Sequence, residues 1–135
     1  MIFENYIESL LNKAFCWGIN DCYTFAYNYL ELKYPNNKLK DIRGLYSSNR
    51  EALIFAQKYK WSEELNKNFK IKKINIKDLK NNDLVLIKQL GFECIHIYQD
   101  NFLYSISRLK GLIKFPLNDL LNFKDVEILQ IQGKL

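Results

Sequence analysis

The spacing of apolar residues changes character at about Phe69, and that change limits the possible folds more than any other feature of the chain. Before it, apolar residues recur at helical intervals. Phe3, Tyr6, Ile7, Leu10 and Leu11 mark a first amphipathic helix ending near Lys13 or Ala14. Tyr23, Phe25, Ala26, Tyr29 and Leu30 mark a second, predicted to open at Cys22, reach about Leu32 and stop before Pro35. A polar loop, Asn36-Asn37-Lys38, and a turn at Arg43-Gly44 follow. Ser48 and Glu51 then stand at capping-box spacing ahead of a third helix with Ala52, Phe55, Ala56 and Tyr59 on its apolar face. A short helical turn is predicted at Trp61–Leu65. Beyond Phe69 the runs are β-rich: Leu84–Ile87, Cys94–Tyr98, Phe102–Ile106, Leu112–Phe115 and Val126–Ile131, with a hairpin turn at Asp100-Asn101. Helices first and strands after them predict an α+β domain, its N-terminal helices packed on a largely antiparallel sheet.

The chain of 135 residues shows no repeat and no linker, so residues 1–135 read as one domain. At 48% hydrophobic and 15% aromatic it has the material for a core. No apolar run approaches the roughly 20 residues of a membrane span, and Met1-Ile2-Phe3-Glu4-Asn5 lacks a signal-peptide layout. The expectation is a protein made in the cytoplasm with no membrane partner. Three cysteines, Cys16, Cys22 and Cys94, are too few for a disulfide framework, and with a single histidine they have no metal-site spacing. No metal and no cofactor is implied. The net charge of +5 is spread over scattered lysines, densest at Lys67, Lys70, Lys72 and Lys73. Without a nucleic-acid-binding motif this reads as a solvated face, not a nucleic-acid contact.

Chemistry concentrates at the start of the second helix. A thiol there meets unpaired backbone N–H groups and the positive end of the helix dipole, which favour the nucleophilic thiolate. Cys22 is therefore a candidate nucleophile, with Asn20 or Asp21 as helix cap and Gly18 allowing the chain a tight approach. An inert buried thiol is the alternative. The one histidine, His96, is the candidate base. It lies in a strand whose period of two places Cys94, His96 and Tyr98 on one face, expected to look toward the cysteine helix, and Ile95 and Ile97 on the other, entering a core. A structural imidazole is the alternative reading. With a turn at Asp100-Asn101, Gln99 faces Phe102 and His96 faces Ser105. Ser105 is thus the candidate to orient the imidazole and Ser107 the next, unless each is merely a strand serine. The Cys22 N–H is the natural oxyanion donor, with Asn20 a second donor if it is not the cap. Trp17 is expected to be largely buried against the cysteine helix and the sheet.

Phe15-Cys16-Trp17-Gly18 followed by Asn20-Asp21-Cys22 resembles the signature of the NlpC-type cell-wall peptidases. The likeness is closer to a branch of that group encoded in phages and prophages near tail genes. That branch carries the Trp-Gly and Asp-Cys elements, then a segment like Lys40-Asp41-Ile42-Arg43-Gly44-Leu45-Tyr46, a helix, and a segment like Asn82-Asp83-Leu84-Val85-Leu86-Ile87. It closes with pairings like Gly111-Leu112 and Pro116-Leu117, so the resemblance spans about Phe15 to the C-terminus. It implies a papain-like fold and a cysteine peptidase or amidase acting on peptidoglycan peptides, with Cys22 attacking an amide carbonyl and His96 moving the proton. It also implies a virion protein partnered by phage tail proteins, reaching the wall without secretion. Arg43, Gly44 and Tyr46 have no derivable catalytic task. Gly44 is expected in a glycine-only conformation, Arg43 on a carboxylate such as Asp41, and Tyr46 beside the cysteine helix.

Two departures from that family bear on activity. Its base belongs to a His-x-Gly-Ile-Tyr-like strand. Matching Ile97-Tyr98 strictly puts Cys94 in the histidine slot and His96 in the glycine slot, about 6.6 Å further along the strand. The tyrosine that often precedes Trp-Gly is Phe15, which donates no hydrogen bond. The alternative function is accordingly a catalytically degenerate tail-tip assembly or adaptor protein on the same scaffold.

Overall fold

A computed structural model describes residues 1–135. Four helices precede the main run of strands: α1 (Ile2–Leu10), α2 (Cys22–Lys33), α3 (Asn49–Lys58) and α4 (Trp61–Asn68). Six strands follow, β1 (Phe69–Lys73), β2 (Leu84–Gln89), β3 (Phe92–Gln99), β4 (Phe102–Ser107), β5 (Gly111–Pro116) and β6 (Val126–Lys134). They form one sheet in the order β1-β6-β2-β3-β4-β5, and every neighbouring pair is antiparallel. The chain is α+β as its periodicity predicts. β6 returns from the C-terminus to fill the place between β1 and β2.

Helix α2 is the centre of the helical layer, packed on β3 and β4. Its sequence suggests one apolar face, but Cys22, Tyr23, Thr24, Phe25, Ala26, Tyr27, Tyr29 and Leu30 are all buried. The reason is that α1 covers one side of it while the sheet takes the other. Tyr6 of α1 donates a hydrogen bond to the Phe25 carbonyl at 2.7 Å, tying the two helices together. Helix α3 starts where Ser48 accepts from the Glu51 N–H at 3.1 Å, but Glu51 does not return the bond as a capping box requires. Its carboxylate instead accepts from the Ser47 N–H and hydroxyl.

Both faces of the sheet are covered. Leu84 and Leu86 of β2 and Ile95 and Ile97 of β3 join the core under the helices. Val85, Ile87, Tyr98 and Leu103 join a smaller cluster on the far face, closed by Leu120 of the 3-10 turn Leu117–Asn122. On β3 the expectation holds for Cys94, whose sulfur meets Cys22, and is corrected for Ile95 and Ile97, which join the core under the helices and do not enter one on the opposite face. The core under the helices is the larger of the two apolar clusters, and the two isoleucines are fully buried in it. The β3–β4 turn matches its prediction: Asp100 and Asn101 both have positive φ, 48° and 70°, as a type I′ hairpin requires. A second such hairpin, with Leu90 and Gly91 at 51° and 87°, joins β2 to β3.

Candidate functional site

The segment before α2 folds around one carboxylate. Asp21 is the helix cap, accepting from the N–H groups of Tyr23 at 2.8 Å and Thr24 at 2.9 Å, while Thr24 Oγ1 accepts from the Asp21 N–H. The same carboxylate takes the Gly18 N–H at 2.6 Å and the Tyr46 hydroxyl at 3.0 Å. Gly18 has φ of 80°, and a Cβ there would run into the Tyr46 carbonyl oxygen, so only glycine fits this crossing. Asn20 is not the cap and is not free to hold an oxyanion, since its amide donates to the Ala14 carbonyl at 2.9 Å. Trp17 is half-buried, less than expected, edge-on to Phe15 and stacked on Phe92 at 5.4 Å.

Arg43 pairs with Asp41 through two bonds of 2.9 and 2.8 Å, and its guanidinium lies 5.1 Å over the Tyr27 ring of α2. That pairing holds the Asp41 carboxyl down at about 2. Gly44 has φ of 77°, and Tyr46 is buried with its hydroxyl on Asp21. The Arg43, Gly44 and Tyr46 segment is therefore structural, locking its loop to α2.

Cys22 opens α2 as predicted, but the surroundings do not make a thiolate. Its sulfur lies 2.7 Å from Cys94 Sγ. That thiol–thiol contact, reinforced by burial, pushes the Cys22 thiol well above its ordinary value. The cap works in the same direction. Asp21 occupies first-turn N–H groups that could otherwise steady a thiolate, and it places a carboxylate next to the sulfur.

His96 does not stand opposite Cys22. Its strand partner is Val85, a residue of the far-side cluster, and its ring packs edge-on to Phe115 at 5.4 Å. Nδ1 lies 3.3 Å from the Cys94 carbonyl, and no hydrogen bond joins the imidazole to Cys22. Burial lowers the histidine to about 4, so the imidazole is neutral at ordinary pH. Phe92 and Cys94, nearer the start of β3, do reach the helical layer.

Ser105 stands in register for His96, one step beyond the pair Ile97↔Tyr104. Its hydroxyl nevertheless goes to the Ile95 carbonyl at 3.1 Å and does not orient the ring. Ser107 accepts from the Lys110 N–H in the β4–β5 turn. Cys22, Cys94, His96 and Ser105 all line one groove of about 500 Å³, whose walls include Trp17 and Phe92. The structure thus gathers the predicted residues along one surface but sets Cys22, the candidate nucleophile, against a second thiol. Cys94 is the residue missed as a partner, and its place in the histidine slot of the strand was the available signal.

Residues 2–123 match a family described as a domain of unknown function (DUF6950), and the chain belongs to that family. No curated protein matches the sequence.

Proposed function

We propose that this DUF6950-family chain is a papain-like, NlpC-type protein without a competent peptidase centre, serving as an assembly or adaptor subunit of a phage tail. The observation that carries the loss of catalysis is the pairing of Cys22 with Cys94 at 2.7 Å where a cysteine peptidase needs a base. Buried against a second thiol, Cys22 has no general base beside it, and no hydrogen bond joins the imidazole to its sulfur. The papain-like reading is supported by the order of elements, a cysteine-headed helix followed by an antiparallel sheet, and by the Trp-Gly and Asp-Cys elements. The tail assignment rests on the resemblance to the phage branch.

A second reading, a peptidase on peptidoglycan peptides, is favoured by one observation: Cys22, His96 and Ser105 share a groove. Three measurements separate the readings. On the adaptor reading, iodoacetamide modifies Cys22 no faster at neutral pH than an ordinary or buried thiol, purified peptidoglycan releases no muropeptides, and the protein is found in purified tails. Muropeptide release that is lost in Cys22→Ala establishes the peptidase instead, and absence from tails removes the adaptor role.

A further inference from the structure

Cys22 and Cys94 lie 72 positions apart in the chain, yet their sulfurs are closer than two non-bonded thiols ordinarily rest. The contact is framed on both sides. The neighbour of Cys22, Tyr23, accepts a hydrogen bond on its hydroxyl from the N–H of Glu93, the neighbour of Cys94, at 2.9 Å. Glu93 in turn accepts from the Trp61 N–H at 2.7 Å, so this end of β3 is fixed to the helical layer. The sulfurs are thus held together by elements that cannot drift apart without breaking buried hydrogen bonds. Access is uneven. Cys22 is 7% exposed while Cys94 is half-buried, and both line the groove, with Cys94 the more open of the two. Cys16, the remaining thiol, is exposed and bonds only to the Trp17 carbonyl, at 3.9 Å.

We propose that Cys22 and Cys94 form a reversible disulfide, a redox-controlled staple between the start of α2 and β3 that a small-molecule disulfide closes and a dithiol opens. Cys94, the accessible thiol, attacks as thiolate on one sulfur of the small disulfide, forming a mixed disulfide and releasing one small thiolate. Cys22 then loses its proton to solvent and attacks Cys94 Sγ, expelling the second small thiolate. Both leaving thiolates are protonated from solvent. Two protein thiols are oxidised and one small disulfide is reduced to two thiols, so electrons and protons balance. Closure removes both sulfurs from the groove as nucleophiles and cross-links a long loop, the arrangement in which a disulfide restrains the unfolded chain most. The inference rests on the thiol geometry alone and holds equally for an adaptor or a peptidase.

The test incubates the reduced full chain with oxidised glutathione, alkylates the remaining thiols under denaturant and maps the peptides without reduction. Free thiols are expected to fall from three to one, with the Cys22 and Cys94 peptides joined and dithiothreitol restoring all three. Cys16→Ser is expected to leave the cross-link intact, and Cys22→Ser to retain glutathione on Cys94. The oxidised protein should melt about 5 °C or more above the reduced one. Persistence of all three thiols, glutathione remaining on wild-type Cys94 without a cross-link, or a bond to Cys16 overturns the proposal.

Discussion

At the scale of single residues, His96 makes a prediction that separates a structural imidazole from a working base. Burial lowers it to about 4 in the folded protein, against about 6.5 in an unfolded chain. Between those values the unfolded state binds the extra proton, so the stability owed to neutral His96 is fully present above pH 6.5 and is lost as pH falls toward 4. The loss is on the order of 3 kcal/mol. Urea denaturation across this range should show wild type weakening more steeply than His96→Gln, and the histidine ring protons should titrate near pH 4 by NMR. Parallel stability curves, or a titration near 6.5, would sink the assignment. The identity of this side chain was legible in the sequence as the only histidine. Its orientation was not, because strict alternation fixes which residues share a face but leaves open which layer each face meets. Ile95 and Ile97 decided that by taking the larger core.

At the scale of elements, the start of α2 was the most legible part of the site. Asp21 at a cap position, Gly18 behind it and Pro35 after the last turn bracket a helix that the structure places at Cys22–Lys33. Tyr46 was read only as packing beside that helix, whereas its hydroxyl completes the ring of donors around the Asp21 carboxylate. No local pattern announces a bond between residues 25 positions apart. Removing the acceptor strands four donors, three of them backbone N–H groups, so Asp21→Ala should cost at least about 3 kcal/mol in chemical denaturation. Asp21→Asn keeps one acceptor oxygen for the cap and should cost less. Tyr46→Phe removes one donor of four and should cost about 1–2 kcal/mol. Equal losses for all three variants would mean that the carboxylate is not the hub of this turn.

At the scale of the whole molecule, the fold class was readable because the switch from helical to strand spacing survives every local ambiguity. The insertion of β6 between β1 and β2 was not, since antiparallel neighbours far apart in sequence leave no local trace. The same scale carries the decisive test of the papain-like proposal. If the chain has lost its base by exchange within one strand, then Cys94→His combined with His96→Gly rebuilds the His-x-Gly-Ile-Tyr pattern around the intact Ile97-Tyr98. The sulfurs of Cys22 and Cys94 lie 2.7 Å apart, so a side chain at position 94 that turns its ring into the adjoining groove stands beside the Cys22 sulfur. Removing His96 also frees the space beside Phe115 that its ring now fills. Thiolate formation at Cys22 should then extend to lower pH, and iodoacetamide should modify it at least about tenfold faster at neutral pH than in wild type, because a neighbouring imidazolium stabilises the anion. Peptidoglycan cleavage, expected to be absent in wild type, should become measurable in the double variant and vanish again on Cys22→Ala. A folded double variant whose Cys22 reacts no faster than wild type would show that position 94 does not occupy the place of a base, and the papain-like proposal would fall with it.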